Sequence, residues 1–416
     1  MKMRAVAAGL AVALAAAACG EVGAAERDVD RIDRALADHL DEAVAEVAAG
    51  FDAFGFDLLA ALRADSAEPN LVLSPLSAGA ALSLVLAGAG GDTAAELAAA
   101  LGIDADAPAD GRVGALLLAL ADADGVDLTL ANAVWTRPDY PLTDEFRAAA
   151  GAALGASIDE LDLADAEAVA EIDRWAAEHT DGLVEEITDA LAVPDPLVVA
   201  VLANATHFAG VWTDEFDHDD TRPGPFTRDD GSTVTAELMR ADDMEVAVAV
   251  DPDAAVVLAR LAYGDDQRFG FEVLLPTDDT PISDVLDHVD AARWRALSEQ
   301  AMTETGLRVV LPRFAAASDH DLTEPLQALG VDRAFGNGHD FTPMSPDNPW
   351  LGTVAQKAVI EVDESGTEAA AVTAAEMLDS APLVTEVIVN RSFAYAVRDT
   401  ATGASLFLGV IDDPTA

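Results

Sequence analysis

Residues 363–383 read DESGTEAAAVTAAEMLDSAPL, and no other stretch limits the fold as strongly. Its alanines favour helix, yet Thr367, Val372 and Thr373 are β-branched and Gly366 weakens any helix that includes it. Local propensity leaves loop, helix and strand open. In a strand, where successive side chains alternate faces, Thr367, Ala369, Ala371, Thr373 and Ala375 share one face, all small and uncharged. Glu368, Ala370, Val372, Ala374 and Glu376 take the other, with both charges. Such a strand can enter a sheet with a packed core beneath it and water above. A bulky or charged inner residue would be penalised by overpacking or desolvation. A proline would remove a ladder donor, and none occurs between Gly366 and Ser380.

The rest of the chain supplies helices first and strands later. Helical patterns cover about Val44 to Leu62, then a segment capped by Ser74 with Pro75 in its first turn, which runs to the break at Gly90-Gly91. DTAAELAAALG starts another, with Asp92 or Thr93 as cap and Gly102 as stop. ADAEAVAEIDRWAAEHT forms a fourth and closes at Asp181-Gly182. VDLTLANAVWT alternates as a strand, and PLVVAVLANATHF is a continuous apolar run, the signature of a strand buried on both faces. EVAVAV, AAVVLARLAY, FGFEVLLP, LRVVLPRF, QKAVIEVDE, LVTEVIVN, FAYAVRD and SLFLGVI follow. The expectation is one interleaved α+β domain with large sheets.

Charge excludes several partners. The chain has 76 acidic and 23 basic residues, a formal net charge of −53, and only two lysines, Lys2 and Lys357. Nucleic acid and anionic membrane surfaces would repel it, whereas dense carboxylate hydration suits solubility in high salt. The start, MKMRAVAAGLAVALAAAACG, has a basic end, an apolar run from Ala5 to Ala18 and then Cys19, the sole cysteine. The run is short for a bilayer span and fits a signal-peptide core. Ala16, Ala17 and Ala18 before a cysteine resemble the bacterial lipoprotein cleavage box; an ordinary secretory signal is the plainer reading. Residues 1–18 are thus expected to be a lipoprotein signal peptide and 19–45 a tether from lipidated Cys19. The protein would be exported and either lipid-anchored on the outer side of the membrane or secreted. Loss of Lys2 and Arg4 with the signal would take the charge from −53 to −55.

Catalytic templates fail. There is no G-x-S-x-G elbow, H-E-x-x-H zinc site, P-loop or G-x-G-x-x-G, and Lys357 has Val354 three residues before it, which rules out S-x-x-K. The histidines (His179, His207, His218, His320 and His339 among them) are scattered. His218-Asp219-Asp220 and DADGVD at 122–127 are weak metal candidates; the second lacks calcium-loop spacing and its terminal Glu. No metal, cofactor or enzymatic activity is expected.

What remains distinctive is mechanical. NLVLSPLSAGAALSLVLAGAGGDTAAEL, ANAVW, LANATHFAGVWTDEFD, LPRF, KAVIEVDESGTEAAA, and VIVNRSFAYAV followed by LFLGVIDDP resemble the serpin family in order and approximate spacing, from about residue 50 to 413. Ala394 departs from the pattern, being smaller than the apolar residue usual after Phe393. The resemblance implies a serpin domain over 46–413, with about eight to nine helices around three β-sheets and an exposed reactive centre loop at about 364–385. Glu364, Gly366, Thr367, Glu368, Ala369, Ala370 and Ala371 match the hinge of inhibitory members. Ser74, Ser77, Asn204 and Gln356 match the shutter, where many members have histidine at Gln356's position; glutamine still donates and accepts hydrogen bonds. Trp212 matches the breach. Without the resemblance, these are ordinary core residues.

The resemblance further implies an irreversible, suicide-substrate inhibitor that is a monomer. A serine protease outside the cell would cleave the loop and be trapped in a covalent complex as the loop inserts as a strand. Hinge spacing puts the cleaved bond at Ser380-Ala381; counting back from Phe393 gives Ala381-Pro382, a poor substrate, and a shorter hinge gives Asp379 and an Asp-cleaving protease. Met377 and Leu378 would fill adjacent subsites. A small residue at the bond suits elastase-like or subtilisin-like targets, and no Lys or Arg lies between Lys357 and Arg391 for a trypsin-like one. The alternative is a non-inhibitory serpin that acts as a binding or carrier protein.

Overall fold

The computed structural model describes residues 22–66, 68–121, 126–188, 191, 193–277, 279–367 and 386–416, with side chains from residue 42 except Asp65, Ala152 and Ala153. Cys19, the residues before it, and Glu368, Ala369, Ala370, Ala371, Met377, Leu378, Asp379, Ser380 and Ala381 lie outside the described residues.

In chain order the elements are α1 (Val22–Asp65), β1 (Asn70–Leu73), α2 (Pro75–Ala87), α3 (Gly91–Leu101), α4 (Arg112–Ala121), β2 (Val126–Thr136), α5 (Asp144–Ala148), β3 (Ser157–Glu160), α6 (Ala166–His179) and β4 (Ala200–Val211). There follow β5 (Arg222–Thr227), β6 (Thr233–Asp251), β7 (Val256–Tyr263), β8 (Phe269–Pro276), α7 (Ile282–Leu286), α8 (Ala291–Gln300), β9 (Met302–Pro312), β10 (Phe314–Asp321) and α9 (Thr323–Ala328). The last are β11 (Ala355–Val362), β12 (Gly366–Thr367), β13 (Glu386–Ile388), β14 (Phe393–Asp399) and β15 (Ser405–Ile411).

Local chemistry sets several of these limits. The Ser74 hydroxyl accepts from Ser77 N at 3.1 Å and Pro75 opens α2, as a cap and a first-turn proline should. Ten of the 13 residues of α2 are buried, so it is a core helix and not an amphipathic surface one. α3 starts at Gly91, with Gly90 as an N-cap that makes no side-chain bond, two residues ahead of Asp92 and three ahead of Thr93. Thr93 instead receives the Asp340 N–H at 2.9 Å. Gly102 ends α3 at φ 65°, the left-handed conformation that favours glycine. α1 reaches back to Val22, well before Val44, since no glycine or proline lies between Gly23 and Val44. α4, RVGALLLALA, has an apolar face that sequence reading did not pick out.

Three sheets are formed among the described residues. The largest runs β1-β15-β14-β8-β7-β6-β9-β13, with β5 paired to β6; β8, β14 and β15 are buried along their whole length. A four-stranded sheet has the order β12-β4-β2-β3, and β10 and β11 form a pair. β4 departs from expectation: its burial alternates instead of covering both faces. Val201 and Ala203 pack with Ala168 and Ile172 of α6, while Leu202, Asn204 and Thr206 of the other face line cavities. The apolar run reports hydrophobic neighbours, not two covered faces.

One ionic cluster locks α1 to the large sheet. The Asp52 carboxylate pairs with Arg398 at 2.9 Å and Arg295 at 3.3 Å and accepts from Ser405 N at 2.9 Å. Arg398 is 2% exposed and Asp52 1%. Asp52→Ala would take the nearer carboxylate from the buried Arg398, which keeps Glu272 at 3.7 Å, and would leave Ser405 N without its acceptor, a loss of about 3 kcal/mol. Asp106→Asn, which removes one exposed partner of Arg112, should cost less than about 1 kcal/mol. Urea unfolding of both variants checks the contrast.

Candidate functional site

At the end of β11 the chain reverses. Asp363 Oδ1 accepts from Ser365 N at 2.8 Å and Gly366 N at 3.2 Å, and Asp363 N donates to Gly366 O at 3.0 Å, which closes the turn. The chain then runs back as β12, antiparallel to β4, with Gly366 opposite Val211 and Thr367 opposite Gly210. Glycine is required here for two reasons. Gly366 has φ 149°, a region closed to L side chains, and a Cβ would overlap Gly210 O.

Trp212 holds the turn from the β4 side. Its indole donates to Asp363 O at 2.9 Å, its backbone N–H to Ser365 O at 3.0 Å, and Phe216 N donates to Glu364 O at 2.9 Å. The indole stacks on Tyr263, centroids 4.5 Å apart and 11° between planes. The Tyr263 and Thr367 hydroxyls share a buried hydrogen bond of 2.8 Å, so the first hinge side chain is already seated in the sheet. Burial pushes the Tyr263 phenol up, and the bond to Thr367 opposes this only partly.

Glu364 is fully buried. Its carboxylate receives the Thr221 hydroxyl at 2.5 Å and Arg313 Nε at 3.1 Å, with Arg313 Nη2 on the other oxygen. His218 Nδ1 lies 3.2 Å away. His218, a weak metal candidate in sequence, thus faces the hinge carboxylate. Burial alone would raise the Glu364 pKa, but the hydrogen bonds from Arg313 and Thr221 outweigh it and hold the group below its usual 4.5. A depressed carboxyl contributes stability above its unfolded value and loses it as pH falls through the folded one. Glu364→Gln should therefore cost about 1–3 kcal/mol at pH 7, and the gap to wild type should close as pH falls through the depressed folded pKa. Thermal melts of both proteins from neutral into acid pH read this out.

Lower down, Gln356 and Ser74 form a reciprocal clamp. Ser74 N donates to Gln356 Oε1 at 3.1 Å and Gln356 Nε2 to Ser74 O at 2.9 Å, both buried. Asn204 belongs to an adjoining chain: it donates to Asn132 Oδ1 at 3.0 Å, and Asn132 donates to Leu154 O at 2.9 Å. Ser77, Asn204 and Gln356 line one cavity. β4 and β11 share no ladder; Asn204–Phe208 and Lys357–Glu361 face each other across a single cleft whose upper end reaches Thr367. Arg313, Thr221, Tyr263 and Asp363 went unnoticed in the sequence. The signal available was the arginine of LPRF, a cation that follows a strand in a chain poor in cations.

The turn thus sets the two residues of β12 against β4, at the upper end of a cleft whose other wall is β11. The chain belongs to the serpin family: its residues 49–414 match the family model "Serpin (serine protease inhibitor)". It is 32% identical over 380 residues to Serpin-ZXA of Oryza sativa subsp. japonica, covering 87% of this chain and 96% of the relative. Two similar solved structures are the thermophilic serpin Tengpin in the native state (TM-score 0.76, 24% identity, 89% of this chain and 94% of that one) and thyroxine-binding globulin with thyroxine (TM-score 0.77, 22% identity, 89% and 99%). The fold is the α+β serpin fold, and the chain is not an enzyme.

Proposed function

We propose that this serpin is an irreversible suicide-substrate inhibitor of a serine protease outside the cell, elastase-like or subtilisin-like. The observation that carries the reading is the reversal at Asp363–Gly366, which seats Thr367 beside Tyr263 at the upper end of the β4–β11 cleft. The protease serine would attack the carbonyl of Ser380, with Asp379 as the alternative. Its Oγ–acyl bond forms, the peptide C–N bond breaks, and the amine of Ala381 takes the proton and leaves. The small face of Thr367, Ala369, Ala371, Thr373 and Ala375 then lets the freed segment enter as a central strand before water reaches the acyl bond. Glu364 and Gly366 act as hinge, Trp212 as breach, and Ser74, Ser77, Asn204 and Gln356 as shutter. The protein works as a monomer.

Incubation with subtilisin or elastase tests this. An adduct that survives SDS is expected, together with a separate C-terminal fragment whose new N-terminus is Ala381. Loop cleavage with no adduct would overturn the reading in favour of a binding or carrier serpin.

Export and lipidation of Cys19 belong to the same proposal. The wild-type chain should partition with membranes, and Cys19→Ala should release it into the medium; a wild-type chain found wholly in the medium sinks the anchor.

A further inference from the structure

Between α2, the first half of β4 and residues 344–357 lies a cavity of about 520 Å³, within the roughly 300–1,000 Å³ typical of small-molecule sites. Leu82, Val85, Leu202, Phe341 and Met344 give it apolar walls. Trp350, 60% exposed, also lines it, so a large aromatic surface stands at the rim in contact with water.

The polar groups at that rim are uneven. Arg137 is exposed and lines the cavity. Its guanidinium lies 5.6 Å from the Tyr140 ring centroid and enters no ion pair among the described residues. Its charge is thus not committed to a carboxylate among the described residues, and its position at the rim leaves it open to one from outside. Of the two rim carboxylates, Asp195 is occupied by the Leu197 N–H at 2.7 Å; Asp347 is exposed to water.

From this we infer that the cavity binds a single-chain carboxylic acid, its apolar tail among Leu82, Val85, Leu202 and Phe341 and its carboxylate on Arg137. Arginine suits the head group because its planar fork pairs with both carboxylate oxygens. Ser77, Asn204 and Gln356 line the same space, so an occupant touches both walls of the cleft. Given the inhibitory function proposed above, the occupant would obstruct the lower path of the entering strand. Bound acid therefore diverts the protein from trapping its protease to being cleaved by it.

Dodecanoate, below its micellar concentration, is the probe, and Trp350 emission is the readout. Saturable binding with one acid per chain by native mass spectrometry is expected, with the emission change absent in Trp350→Phe. Arg137→Gln, a surface change, should weaken binding about fivefold or more, and dodecanol should bind wild type as weakly. No saturable binding overturns the site; equal affinity of Arg137→Gln, or of dodecanol, overturns the carboxylate assignment. With protease present, saturating dodecanoate should raise the share of chain cleaved without adduct. Binding with an unchanged adduct yield overturns the diversion. Binding in a protein that never forms adduct counts against the inhibitory function and leaves the acid site standing.

Discussion

Thr367→Arg is expected to turn the protein from a trap into a substrate: subtilisin or elastase still cuts the loop, but SDS-stable adduct nearly disappears. Thr367 is 6% exposed and its hydroxyl meets that of Tyr263. A guanidinium there would have to be buried between the Tyr263 ring and β4. The effective penalty for a buried ion is several kcal/mol, and each 1.4 kcal/mol is tenfold in a rate. Strand entry then falls behind hydrolysis of the acyl bond, and the protease consumed per inhibitor should drop at least about tenfold. The intact variant should also melt somewhat lower than the wild type, because Thr367 is already buried against Tyr263 before cleavage, so the adduct ratio is compared at a temperature where both are folded. Gel densitometry of adduct against cleaved chain gives the ratio, and an undiminished adduct would show that entry does not begin at Thr367.

Cutting the loop of the wild-type protein should raise its melting temperature by roughly 20 °C or more. The cleft walls β4 and β11 share no ladder, so a strand that enters between them gains backbone bonds on both sides. A net gain of about 1 kcal/mol per hydrogen bond, over on the order of ten bonds, amounts to roughly 10 kcal/mol, and at about 2–4 °C per kcal/mol the shift is large. Calorimetry before and after nicking measures it. A nicked protein that melts with the intact one would mean the segment does not insert.

Much of this architecture was legible in the sequence where local chemistry decides it. Ser74-Pro75 announces α2, and Gly102 ends α3, because caps and left-handed stops depend on one or two residues. The strands after residue 240 were read from apolar runs bounded by polar turns. β4 was misread as buried on both faces, since a run of apolar residues does not say that one neighbour is the helix α6 and the other a cleft. Within the site, Gly366, Glu364 and Trp212 came from family resemblance, whereas Thr221, Tyr263 and Arg313 converge from separate segments and meet only once the chain is folded. His218 illustrates the same point: its acidic neighbours Asp219 and Asp220 suggested a metal, but the partner that matters lies 146 positions on, at Glu364.

The Ser74–Gln356 clamp has an operational consequence. It is built from an amide and a backbone peptide group, neither of which gains or loses a proton between pH 5 and 8, where histidine does. Its grip is therefore the same in mildly acid and neutral surroundings. Any pH dependence of sheet opening in that range must arise elsewhere in the molecule.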